Sequence, residues 1–132
     1  MTISTGPFVV QVHSEPPFSE HEGVSLGRFR CEKRFTGALE GTSEVFMIGV
    51  GTPDPKLRAY VAIERIACTL DGKKGSFVVT QTGTMNHAGM TLSIPIVQGS
   101  GTGELRGITG RMSIRIEKGG AHFYEIDYTL DA

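Results

Sequence analysis

The sequence contains no tryptophan and only two cysteines in 132 residues, and both scarcities limit what the protein can be. The two cysteines, Cys31 and Cys68, provide neither the ligand spacing of a structural metal site nor a disulfide framework. Residues 1–8 lack the basic segment and the apolar segment of a secretory signal peptide. We therefore expect a cytoplasmic protein whose two thiols are reduced.

The sequence also has no large excess of charge of one sign and no long hydrophobic run. The 13 basic residues stand against 14 acidic ones, for a net charge of -1. This balance gives no broad positive surface, which argues against nucleic acid and anionic membranes as partners. No window approaches the roughly eighteen consecutive apolar residues that a membrane-spanning helix needs. His13, His21 and His87 share no metal-ligand spacing, so no metal ion is predicted.

Helical periodicity is also absent, and alternation of apolar and polar residues takes its place. Between Phe29 and Phe35, for example, apolar residues and one lysine, Lys33, face one way while charged residues face the other. Turn signals such as Asp71-Gly72 separate these runs. The alternation predicts strands at residues 8–13, 26–35, 39–51, 57–70, 76–85, 90–96, 111–117 and 122–130.

Eight strands with one apolar face form a stable sheet only if that face is buried and the edge strands are paired or covered. We therefore predict an all-β fold, an eight-stranded antiparallel up-and-down β-barrel formed by residues 1–132 as a single domain, with a β-sandwich as the competitor. Glycines inside the strands, at Gly41, Gly49 and Gly83, favour the barrel because curved strands need relief from crowding. The missing tryptophan argues against a typical lipocalin, whose first strand carries a Gly-x-Trp signature.

Residues 99–110 contain five glycines between two strand-like runs. This density suits a bulged or coiled strand and a tight corner. A phosphate-binding loop would lead into a helix, and no helical pattern follows Gly110. No cofactor is therefore predicted.

Several polar residues fall on faces that are otherwise apolar. A buried ionisable group must be paired or neutralised, so these side chains are expected to interact with one another or with a ligand. A hydrogen-bonded plug, a ligand cavity and an acid–base pair for proton transfer all fit the pattern. We predict no catalytic residue, and the predicted ligand-binding residues are Lys33, Tyr60, Glu64, Gln81, His122 and Tyr124.

Five segments in order also resemble a known bacterial family, domain of unknown function 3224. They are Lys33-Arg-Phe-Thr-Gly37, Tyr60-Val-Ala-Ile-Glu64, Gly72-Lys-Lys-Gly-Ser-Phe77, Ser100-Gly-Thr-Gly-Glu-Leu105 and the run from His122 to Leu130. The resemblance implies a barrel similar in fold to allene oxide cyclase and the plant dirigent proteins, which bind hydrophobic intermediates and guide their closure or coupling. It implies no activity. In that family a histidine often stands at the place of Gln81.

Two hypotheses about function remain open. In the first, the barrel binds a small, mostly apolar molecule in its interior or mouth, and a cofactor-independent cyclase or isomerase is one form of this. In the second, it is a homo-oligomeric scaffold or interaction module with a filled interior. The second is favoured by an outward-facing apolar set: Phe46, Ile48, Val61, Ile63 and Ala67.

Overall fold

The computed structural model describes residues 1–130 and contains ten strands. They are β1 (Thr2–Ser14), β2 (Ser19–His21), β3 (Val24–Phe35), β4 (Leu39–Gly51), β5 (Arg58–Leu70), β6 (Lys73–Asn86), β7 (Gly89–Pro95), β8 (Thr102–Gly103), β9 (Ile108–Ile116) and β10 (His122–Leu130). Within that range no helix has the length and apolarity to cross a membrane.

Eight of the strands close into an antiparallel barrel, which confirms the predicted fold. Closure depends on β1, which changes partner along its length. Residues 2–8 pair with residues 122–128 of β10, and residues 8–14 pair with residues 29–35 of β3. The two short strands stay outside the barrel circuit, since β2 extends the edge of β3 and β8 pairs with the start of β6.

At one end of the barrel, the turn between β5 and β6 forms hydrogen bonds with two other strands. Asp71 and Gly72 both have positive φ, 49° and 85°, as the predicted two-residue hairpin turn requires. The Asp71 carboxylate accepts hydrogen bonds from the Ser4 hydroxyl, at 2.7 Å, and from the Tyr128 hydroxyl. The turn is thereby fastened to β1 and β10, and we call this end of the barrel the closed end.

The glycine-rich segment folds back over the closed end. Apart from the two residues of β8, residues 99–107 form turns and irregular backbone, so the predicted bulged strand is wrong there and the tight corner is confirmed. A Cβ on Gly101 would lie 2.1 Å from the carbonyl oxygen of Leu105, so only glycine allows this approach. The Leu105 side chain is completely buried as a result.

The apolar core is concentrated at the closed end. Completely or almost completely buried there are Phe35, Leu39, Ile66, Leu70, Phe77, Leu105, Ile108 and Ile126. A second, much smaller cluster, made by Cys31, Val45 and Ala62, lies further along the barrel. Beyond it, at the end formed by the loop at residues 52–57 and the turn between β6 and β7, the interior is only partly filled; we call this the open end.

We predict that Leu105→Ala lowers the free energy of unfolding by about 2 to 4 kcal/mol, because it leaves a cavity in the packed end of the barrel. Chemical denaturation measures the change. Ile116→Ala is the control, since Ile116 is 61% exposed, and should cost less than about 0.5 kcal/mol. Equal effects of the two substitutions would show that the glycine-rich segment is a loose loop.

Candidate functional site

A buried carboxylate lies midway along the barrel interior. Glu64 on β5 is 1% exposed and accepts three hydrogen bonds. Lys33 Nζ on β3 lies 3.2 Å from Oε1, Gln81 Nε2 on β6 donates to the same oxygen at 2.6 Å, and Ser43 Oγ on β4 donates to Oε2 at 2.6 Å. The carboxylate is thus paired with a cation and hydrogen-bonded at both oxygens, which is the condition for burying it.

The tilt of the strands explains why these four side chains meet. In the ladders, Ser43 stands opposite Ile66 and Glu64 stands opposite Val79, so the interacting groups are not direct cross-strand partners. Ser43 and Gln81 each reach Glu64 diagonally from an adjacent strand. Lys33 stands opposite Ser43 and reaches Glu64 from two strands away, across β4. Diagonal neighbours are within reach of long side chains, and barrel closure requires this stagger.

Tyr60 joins this group from the side of the open end. Its hydroxyl donates to Gln81 Oε1 at 2.8 Å. The ring lies across β6 at Gly83, where a Cβ would come within 2.4 Å of Tyr60 Cε1, so glycine makes room for the ring. Burial, followed by the nearby charge of Glu64, raises the pKa of the Tyr60 phenol above its ordinary value. Tyr60 is therefore a neutral hydrogen-bond donor at neutral pH.

A cavity of about 440 Å³ occupies the open end, and Tyr60 lines it whereas Glu64 does not. Its walls include the Tyr60 ring together with Phe29, Met47 and Met85, and methionine suits a surface that adapts to its contents. Glycines supply the space: the backbone lining includes Gly27, Gly49, Gly51 and Gly83. Grooves of larger volume, about 820 Å³, lie on the outside of the barrel among charged side chains such as Arg34 and Glu44.

The other two predicted residues lie apart from Glu64. The Tyr124 hydroxyl accepts a hydrogen bond from the Leu39 backbone N–H at 2.8 Å and donates to the Thr36 carbonyl at 2.7 Å, at the closed end. The His122 ring packs against Phe8 with 5.3 Å between ring centres. Neither side chain lines the cavity at the open end. A ligand-binding role for them remains a prediction.

The structure therefore brings together four of the six predicted residues, and of these only Tyr60 lines the cavity. Ser43 completes the group and was not predicted, because a serine at an inward position hardly disturbs an apolar pattern. The sequence feature that could have indicated the cavity is the set of glycines at inward strand positions, because a glycine there leaves volume unfilled. Within residues 1–130, no three histidine, cysteine or acidic side chains come together as a metal site would require.

Comparison with known proteins identifies the family. Residues 4–128 match the family described as "Protein of unknown function (DUF3224)". The chain therefore belongs to the DUF3224 family, as the resemblance of its segments implied.

One solved structure shares both the sequence and the fold closely. It is the crystal structure of a protein with unknown function from the DUF3224 family of Shewanella oneidensis MR-1, which is 38% identical to this chain with a TM-score of 0.92. The match covers 100% of this chain and 99% of that one. No curated protein matches the sequence. Any function must therefore be argued from the site itself.

We predict that Lys33 and Glu64 are strongly coupled in stability. Lys33→Met and Glu64→Gln should each lower the free energy of unfolding by about 3 kcal/mol, because each leaves a buried partner without its counterpart. The double variant should lose less than the sum of the two by at least about 1 kcal/mol. Denaturation of all four proteins gives the coupling energy, and additive losses would contradict a buried ion pair.

Proposed function

We propose that this protein binds a small, mostly apolar molecule in the cavity at the open end of the barrel. The observation that carries the proposal is the contrast between the two ends. One is packed with large side chains, and the other holds about 440 Å³ of space between apolar walls. Ligand pockets in proteins are of this size and character, with a few fixed polar groups among apolar ones. Tyr60 supplies such a group here.

A likeness in fold to allene oxide cyclase and the dirigent proteins supports the proposal by analogy. Those barrels bind hydrophobic intermediates, and the family resemblance implies the same type of barrel here. A shared fold does not transfer a reaction, so the analogy supports binding of an apolar molecule and nothing more specific.

The hydrogen-bonding pattern favours binding over acid–base chemistry. Tyr60 is the one predicted residue that reaches the cavity, and its raised pKa keeps it neutral at neutral pH, where it is a poor base. The Gln81 amide lies between Tyr60 and Glu64, and an amide does not relay protons readily. A cyclase or isomerase acting in this cavity would therefore work by holding its substrate in a reactive conformation.

Binding can be tested with N-phenylnaphthylamine, an uncharged apolar dye whose emission rises in nonpolar surroundings. We expect saturable binding of one dye molecule per barrel. Met47→Trp should weaken the affinity at least about tenfold, because the larger ring fills the cavity. Val9→Trp is the control, since Val9 lies on the outside of β1 and is 66% exposed, and should leave the affinity unchanged.

The proposal fails if wild-type protein does not bind the dye at one saturable site. It also fails if Met47→Trp and Val9→Trp bind the dye as tightly as the wild type does. Thermal unfolding of both variants establishes that the comparison is between folded proteins.

A specific observation also favours self-association, the second hypothesis. Phe46, Ile48, Val61 and Ile63 form one patch on neighbouring positions of β4 and β5, and each is about half exposed. Patches of this kind mark interaction surfaces. Charges of both signs surround the patch, including Arg30, Glu44 and Arg65. A second copy of this chain suits a mixed rim, because acids of one copy can face bases of the other.

We predict that the protein is a homo-oligomer at tens of micromolar and that Ile63→Arg makes it a monomer, because it buries a charge in the shared patch. Light scattering coupled to gel filtration measures the mass. The matched control is Ile3→Arg: Ile3 is 60% exposed and Ile63 59%, but Ile3 lies on β1, away from the patch. A monomeric wild type, or equal loss of assembly in both variants, would contradict this interface.

A further inference from the structure

The hydrogen bonds around Gln81 have a fixed direction. The Glu64 carboxylate accepts, so the side of the Gln81 amide that faces it must be the nitrogen, at 2.6 Å. The amide oxygen of Gln81 then faces the Tyr60 hydroxyl at 2.8 Å and can only accept. The single hydroxyl proton of Tyr60 is therefore committed to Gln81.

This direction decides what Tyr60 can offer to a molecule in the cavity. A phenol has one proton to donate and lone pairs to accept with. With its proton used by Gln81, the Tyr60 oxygen retains only its accepting capacity. The charged side chains that line the same cavity, Glu15 and Arg58, lie at its rim, where both are exposed to water. Ser25 and Thr84 also carry hydroxyls at the lining, and Tyr60 differs from them because a hydrogen bond to Gln81 fixes its proton.

We propose that the ligand is an apolar molecule bearing a hydrogen-bond donor, a hydroxyl or an amine, which it donates to the Tyr60 oxygen. This inference rests on the proposed binding function and specifies the class of ligand. A ketone, ester or carboxylate at the same place would set lone pairs against lone pairs and leave both oxygens unsatisfied. In an apolar cavity such an unmatched polar contact is disfavoured strongly enough to discriminate between ligands.

The test compares three ligands of nearly equal shape by calorimetric titration: a naphthol, its methyl ether and the corresponding naphthyl methyl ketone. Wild-type protein should bind the naphthol about tenfold more tightly than either of the others, the value of one hydrogen bond. Tyr60→Phe should bind all three with similar affinity, since it keeps the ring and removes the acceptor. A preference for the naphthol that survives Tyr60→Phe would overturn the assignment to Tyr60.

A second variant tests the direction of the hydrogen bonds. Gln81→Leu removes the acceptor that holds the Tyr60 proton, so Tyr60 can then donate to a ligand. The ratio of the variant's affinity for the ketone to its affinity for the naphthol should rise at least about tenfold over the wild-type ratio. A purely structural role of Gln81 would not produce this change. Unchanged ligand preference in a folded Gln81→Leu protein would contradict the inference. If that variant does not fold, the comparison with Tyr60→Phe decides alone.

The outcomes separate this inference from the proposed function. If wild-type protein binds none of the three naphthalenes, the proposed function itself fails. If it binds all three equally, the cavity is a binding site but the donor requirement is wrong.

Discussion

The burial of Glu64 is the constraint on which the rest of the interior depends. A carboxylate that is 1% exposed is stable only if a cation and hydrogen-bond donors surround it, and here Lys33, Ser43 and Gln81 do so. These groups come from four consecutive strands of the barrel, β3 to β6. Their mutual distances are therefore set by the stagger between the strands. A change of register by one residue in any of these strands would turn its member of the group to the outer face.

This polar group also divides the barrel into two unlike halves. Toward the closed end, large buried apolar side chains and the returning Leu105 pack the interior. Toward the open end, glycines on β3, β4 and β6 replace side chains that an ordinary core would need. The two halves therefore differ in the residues at inward positions, with large apolar side chains in one and glycines in the other.

Much of the fold could be predicted from the sequence, because period-two alternation is a local property. It located the eight barrel strands and correctly predicted that Lys33, Tyr60, Glu64 and Gln81 face inward. It missed residues 2–7 of β1 and the short strands β2 and β8. Alternation could not show which inward residues meet, since that depends on the stagger between strands. Tyr124 faces inward as predicted, but alternation did not show that it bonds backbone groups at the closed end. Nor could the burial of Leu105 be predicted, because it depends on how an irregular segment folds back.

The arrangement also explains why a polar network borders an apolar cavity. A cavity enclosed only by apolar side chains would bind molecules by shape and hydrophobicity, with little power to choose among them. A ligand hydroxyl or amine becomes favourable only if a polar atom with a fixed hydrogen-bonding role lies within reach. Glu64 fixes the orientation of Gln81, and Gln81 fixes the proton of Tyr60. The Glu64 carboxylate does not line the cavity, yet through these two bonds it makes the Tyr60 oxygen a hydrogen-bond acceptor and not a donor. The buried ion pair thus fixes the geometry of this layer and, through Gln81 and Tyr60, the selectivity that we assign to it.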